Sequence, residues 1–139
     1  MTRVIYVPLD ERHCNLVLPA QIGEPAGLEI LTPDEDFIGQ YKMRGNAEVV
    51  WSWLMEHAPR CKYAVLSLDM LVYGGLVRSR KHNMTEEECF KRLQRIKDLR
   101  AANPNLVIIA YMLIMRTSNM NNNSEDPDYW SDYGKKRCR

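Results

Sequence analysis

The sequence has no dominant charge. Nineteen Lys and Arg residues against eighteen Asp and Glu leave a formal net charge of +1, so no global field draws the chain to nucleic acid or to an anionic membrane. Aromatic residues are 9% of the chain and do not interleave with a basic stripe, which argues further against nucleic acid. The cysteines are Cys14, Cys61, Cys89 and Cys138. None has CxxC spacing or belongs to a zinc-finger-type Cys/His cluster, so reduced thiols are expected. No apolar run reaches the length of a membrane-spanning helix. The N-terminus passes directly into Val4-Ile5-Tyr6-Val7, so no signal peptide is expected and the cytoplasm is the expected location. The match of Asn83-Met84-Thr85 and Asn122-Asn123-Ser124 to the glycosylation sequon carries no weight without secretion. Glycine-rich GxGxxG and Walker loops are missing, as is a GxSxG elbow. Nucleotide binding and serine hydrolysis therefore have no support. No pattern specifies a cofactor or a metal. A small molecule remains as the expected partner class, and the oligomeric state is left open.

The chain does hold 139 residues, 45% apolar and 27% charged. That is enough for one domain, residues 1–139, with a core of its own. Its organising stretch is residues 63–80. An apolar run over Ala64, Val65, Leu66 and Leu68 ends at Asp69, and then come Tyr73, Gly74-Gly75, Arg78 and Arg80. A buried strand that stops at a carboxylate and opens into a glycine-containing loop places polar groups at the carboxyl edge of a sheet. Open α/β sheets bind their ligands at that edge.

The rest of the chain repeats this plan. Residues 3–9 read as a strand closed by Pro8. The polar run Asp10-Glu11-Arg12-His13-Cys14-Asn15 follows, with Asn15 as the expected cap of a helix over residues 16–26. Pro19 is tolerated in the first turn of that helix, and Gly27 supplies its stop. Residues 28–31 form a short strand tipped by Asp34-Glu35-Asp36, which reads as a solvated loop or, less simply, as a hard-metal site. Asn46 caps a helix to His57, whose expected buried stripe is Val49, Val50, Trp53 and Leu54, with Trp51 off it. Residues 62–69 are the organising strand. Thr85 and Glu88 form a capping box that starts a helix to residue 102. Cys89, Leu93, Ile96 and Arg100 are its expected inner side, and Lys91, Arg92, Arg95 and Lys97 are expected to face water. Residues 106–115 are continuously apolar, which predicts a strand buried on both faces. Arg116 and a polar loop over residues 117–127 follow.

Strands alternating with helices predict an α/β fold, a parallel sheet with helices on both faces. It is doubly wound and Rossmann-like, with a barrel fragment as the alternative. In such a sheet the strand tips converge. Asp10 with Arg12 and Asn15, Asp69 with Tyr73, Arg78 and Arg80, and Arg116 with Asn119 would share one edge. Two carboxylates flanked by arginines suit hydrolysis. Asp10 and Asp69 would supply acid and base or nucleophile, and carbohydrates are the commonest substrates of such a pair. Arg12, Arg78, Arg80 and Arg116 would hold an anionic group on the substrate, with Asn15, Tyr73 and Asn119 beside them. The alternatives are a non-catalytic ligand-binding α/β domain, a hard-metal site on the two aspartates, and a set of ion pairs that only ties the loops together.

Two segments carry a resemblance. Val7-Pro8-Leu9-Asp10-Glu11-Arg12-His13-Cys14-Asn15 resembles a PLDxRPxN signature, with His13 where the family usually has proline. Ser67-Leu68-Asp69-Met70-Leu71-Val72-Tyr73-Gly74-Gly75-Leu76-Val77-Arg78-Ser79-Arg80 resembles SxDMLxYGGLxxSR. Both look like an uncharacterised bacterial family of unknown function. Met115-Arg116-Thr117-Ser118 and the acidic segment after Ser124 are similar to that family's next block. The resemblance brings no activity. Because family members are several-fold longer, it implies that the chain is an N-terminal fragment of a longer protein.

Overall fold

The computed structural model describes residues 1–40, 43–119 and 122–137. Cys138 and part of the polar loop after Arg116 lie outside them. The described residues form four strands: β1 Thr2–Val7, β2 Leu28–Leu31, β3 Tyr63–Ser67 and β4 Val107–Tyr111. The helices are α1 His13–Leu16, α2 Leu18–Gly23, α3 Glu35–Ile38, α4 Ala47–His57, α5 Leu76–Arg80, α6 Glu86–Ala102 and α7 Trp130–Arg137. The strands form one all-parallel sheet in the order β2-β1-β3-β4. This is the predicted α/β architecture, and the strand order makes it an open, doubly wound arrangement.

Parallel register decides which residues share a face, because paired residues point the same way. Ile5 pairs with Ala64 and Val7 with Leu66. These four, with Val50, Trp51 and Leu54 of α4 and Leu99 of α6, make the main core, all 0% exposed. On the opposite face Val4 pairs with Ile30, and α2 covers them closely: a Cβ at Gly23 would lie 2.9 Å from Ile30 Cγ1.

The local signals act as read at several points. Pro19 lies in the first turn of α2, and Gly27 ends the following 3-10 turn at φ 76°. Asn46 accepts from Val49 N at 3.2 Å. Thr85 and Glu88 exchange both bonds of the capping box.

Other expectations are corrected. The segment after β1 splits into α1, α2 and a 3-10 turn, and Arg12 rather than Asn15 precedes the first helix. The run Asp34-Glu35-Asp36 opens α3, and no metal-binding cluster occurs among the described residues. Trp51 is fully buried, while Trp53 only borders the core. On α6 the buried anchor is Leu99, and Leu93 is 36% exposed. Arg92 and Arg95 are only partly exposed and pair with Glu48. The most apolar strand, β4, is shorter than its apolar run and lies at the sheet edge, with Val107 and Ile109 about half exposed (45% and 52%). Continuous apolarity signals burial on both faces only when a neighbour covers each face, and none of the described helices covers the outer face of β4.

Candidate functional site

The site is built where β1 and β3 end side by side. From β1 the chain crosses to β2 on one flank; from β3 it crosses to β4 on the other. Adjacent strands whose connections leave in opposite directions open a crevice at their carboxyl ends, the switch point where open α/β sheets hold ligands. The two polar stretches that follow these strands, residues 8–15 and residues 69–80, meet there.

After β1 the chain closes around Asp10. Its Oδ1 accepts from Arg12 N at 3.1 Å and from Asn15 Nδ2 at 2.6 Å. Its Oδ2 accepts from Arg12 Nε at 2.9 Å, and Arg12 Nη2 is also 2.9 Å away. Asp10 is 9% exposed, so the carboxylate is held rigidly at the base of its own loop. The Asp10 hydrogen bond raises the already high pKa of Arg12. Asn15 thus orients Asp10 instead of capping a helix. The Arg12 guanidinium is over half exposed and reaches the opening.

After β3 the chain takes a π-helical turn, Asp69–Tyr73, a form enriched at functional sites. Such a turn leaves carbonyls without helical partners at its end. Here the surrounding elements supply donors to four in succession. Trp51 Nε1 donates to Leu71 O at 2.9 Å, and Arg92 donates to Val72 O. Arg44 Nε donates to Tyr73 O at 3.0 Å, and Gly45 N to Gly74 O at 2.9 Å. Gly74 and Gly75 then turn the chain through φ 86° and 129°. A Cβ at Gly74 would lie 2.5 Å from Gly45 O, so the closeness of two backbones requires glycine at this position. The turn is thereby fixed by four donors from α4, α6 and the segment before α4, and α5 begins immediately after it.

Asp69 lies beneath this turn. It is 1% exposed, and its Oδ2 accepts from Leu113 N at 3.1 Å. Burial pushes its pKa up. Hydrogen bonds from Leu113 N, its own backbone and Ser79 oppose the shift in part.

A third feature had no clear sequence signal. Tyr6 of β1 and Tyr111 of β4 lie on the same face of the sheet, Tyr111 paired in register with Ser67. Tyr6 donates to Asn15 O at 2.7 Å. This bond braces the Asp10 loop against β1. Burial raises the pKa of both phenols, so they act as neutral donors.

Between the two loops is a pocket of about 200 Å³, lined by Asp10, Glu11, Arg12, Gly74, Gly75 and Arg78, among others. Glu125, from the segment after β4, closes one side. Of the expected residues, Asp10, Arg12 and Arg78 meet here. Asn15 supports Asp10 from behind. Asp69 lies under the floor and does not line the pocket. Tyr73 points elsewhere, its ring tilted against that of His82 with centroids 4.6 Å apart. Arg80 pairs with Asp126 at 2.8 Å and donates to the Arg116 carbonyl, so it anchors the segment after β4. Arg116 and Asn119 are exposed outside the pocket. Glu11 and Glu125 were not anticipated. Glu125 is distant in sequence, and only the fold brings it to this edge. A larger hollow of about 800 Å³ lies beside β2, lined by Leu16, Val17, Phe37 and Trp53. It is away from the polar strand tips, so its size does not make it the better candidate.

The fold and the position of this pocket define a doubly wound α/β protein with its polar residues at the switch point. The family described as "Protein of unknown function (DUF4127)" matches residues 4–138, and the chain belongs to that family. No curated protein and no solved structure matches it. No described helix is long and apolar enough to cross a membrane.

Proposed function

We propose that the chain binds a small, polar, hydroxyl-rich ligand in the switch-point pocket. The observation that carries this reading is the convergence of two independently braced loops on one crevice. The Asp10 loop is held by its own hydrogen bonds and by Tyr6. The Gly74–Gly75 loop is held by Trp51, Arg92, Arg44 and Gly45. Rigid walls with fixed polar groups reduce the ordering cost of binding. Carboxylates of Asp10, Glu11 and Glu125 accept hydrogen bonds from hydroxyls, and Arg12 and Arg78 donate to oxygens. Glycine on the facing wall permits close approach.

A carbohydrate-directed hydrolase is the second reading, favoured by the presence of several carboxylates in one pocket. In this arrangement Asp10 faces the ligand with Glu11 or Glu125 as the second carboxyl group. Asp69 holds the floor and acts as a positioning residue.

Saturation-transfer NMR on the intact chain, with a panel of hexoses, sugar acids and polyols, tests the first reading. Binding that disappears in Arg12→Gln and persists in the remote Arg95→Gln supports it. Failure of the whole panel, or binding untouched by Arg12→Gln, overturns it. Chromogenic glycosides test the second reading: hydrolysis by the wild type that is lost in Asp10→Asn is the expected result.

A further inference from the structure

A second hollow, of about 490 Å³, adjoins the first and shares Arg78 with it. We infer that this hollow is a subsite for an anionic group, a phosphate, sulfate or carboxylate, carried by the ligand of the first pocket; the inference rests on the switch-point reading for the rest of that ligand.

Three observations carry it. The first is chemical bias. Arg78, Arg80 and Lys81 bring permanent positive charge to one wall, with His82 and Asn83 beside them and Asp128 opposite. Asp126 pairs with Arg80, and Lys81 Nζ is 3.5 Å from Asp128. Three cations against two carboxylates leave the cluster net positive. Arginine and lysine offer only donors, which suits an oxyanion and no cation.

The second is construction. Arg80 and Lys81 are held in place by the segment that follows β4. Arg80 is bound by Asp126 and by the Arg116 carbonyl. Lys81 donates to Asn123 O at 2.6 Å. The side chains of Arg80 and Asp126 are only 18% and 7% exposed, so this is a fixed wall rather than a fringe of mobile surface lysines. Long cationic side chains held before a ligand arrives lose less freedom when it binds.

The third is continuity. Arg78 lines both hollows, and its Nε atom is buried. A planar guanidinium at this boundary can present different edges to the two parts of one ligand. The same segment supplies Glu125 to the first hollow and Asp128 to the second. One ligand with a hydroxyl-rich body and an anionic end fits both.

The test uses the intact chain and separates the two hollows. Inorganic phosphate alone probes the second hollow by its effect on the unfolding midpoint, with sodium chloride at equal ionic strength as the control. Phosphate is expected to raise the midpoint saturably, as binding to the folded state alone requires. Arg78→Gln and Lys81→Gln are each expected to weaken that response about tenfold, the cost of one charge-assisted contact. Arg95→Gln, whose partner is Glu48, is expected to leave it unchanged. Circular dichroism confirms that each variant is folded, and Lys81, whose side chain is one-quarter exposed, keeps the test open if Arg78→Gln is not. A hexose 6-phosphate compared with its parent hexose then joins the two hollows. The phosphate ester is expected to bind at least tenfold more tightly. Absence of a saturable phosphate response, or a response equal in both variants and wild type, overturns the subsite. If phosphate binds and the ester gains nothing over the hexose, the hollows do not share a ligand and the inference fails. If phosphate binds as expected but neither the hexose nor any other panel member binds, the switch-point reading is the one that fails.

Discussion

The carboxylate of Asp69 accepts the backbone N–H of Leu113 at 3.1 Å across 44 residues of chain. The bond ties the turn after β3, where Asp69 is buried, to the more exposed segment leaving β4. Its two sides can be tested separately. Asp69→Ala removes the acceptor of the Leu113 N–H and is expected to cost about 0.5–1.5 kcal/mol, the net worth of a hydrogen bond that is only part-buried. Asp69→Asn keeps an acceptor and is expected to cost less. Urea denaturation of both variants checks this, and equal losses would mean that the charge, not the hydrogen bond, matters.

The raised pKa of Asp69 also sets a pH dependence. Between the ordinary aspartate value and the raised value, the folded chain holds a proton that the unfolded chain has released. Stability therefore falls as pH rises through that window, which opens near pH ~4. The contribution is unfavourable above the window and absent below it. Asp69→Asn cannot titrate at this position, so the wild-type-minus-variant difference should decline with pH and then level off. Glu88 shifts the other way, lowered by its backbone bond at Thr85, but it is common to both proteins and cancels. A difference curve that is flat from pH 3 to 8 would contradict the assignment.

Trp51 combines packing with a polar anchor. Its ring is 0% exposed and its Nε1 donates to Leu71 O. Trp51→Phe keeps most of the volume but orphans that carbonyl, and is expected to cost about 1–3 kcal/mol. Trp51→Ala opens a cavity as well and is expected to cost about 3–5 kcal/mol. Because the same bond braces the wall of the pocket, Trp51→Phe should also weaken any ligand of that pocket. Chemical denaturation together with ligand titration separates the two effects.

The Thr85 capping box is a local test that leaves the site alone. Thr85→Ala removes an acceptor for Glu88 N and is expected to cost about 1 kcal/mol. Ligand binding should be unaffected.

The parts of this molecule legible in the sequence are those governed by near neighbours. Thr85 with Glu88, Asn46 with Val49, and Gly27 after its 3-10 turn each depend on atoms a few residues away. The four strands announced themselves by short apolar runs bounded by turn residues. What escaped depends on strand order. The exposure of Val107 and Ile109 follows from the edge position of β4, which their apolarity alone does not disclose. Trp51 falls off the expected stripe of α4 because the π-helical turn packs beside that helix and draws the indole toward Leu71. Asp10 and Arg12 were identifiable from their place after β1. Glu125 was not, because its place in the pocket depends on how the chain returns after β4.

Gly74 and Gly75 differ in a way that tests the pocket directly. Both have positive φ, but their surroundings are not alike. A Cβ at Gly74 would collide with the backbone of Gly45 at 2.5 Å, whereas at Gly75 its nearest neighbour would be Met70 Cε at 3.8 Å. Backbone cannot yield as a flexible side chain can. Gly74→Ala should therefore push the turn away from Gly45, break the Gly45 N to Gly74 O bond and destabilise the fold by ~2 kcal/mol or more. Gly75→Ala makes only ordinary van der Waals contacts and incurs only the strain of its φ, about 1–3 kcal/mol. Its new methyl group lies on the pocket wall. If the pocket is the binding site, Gly75→Ala should retain a cooperative fold and yet lose ligand affinity. The informative comparison is ligand affinity against unfolding free energy for both variants. Gly75→Ala binding as wild type does would remove this wall from the site, and equal stability losses in the two variants would contradict the close approach of Gly74 to Gly45.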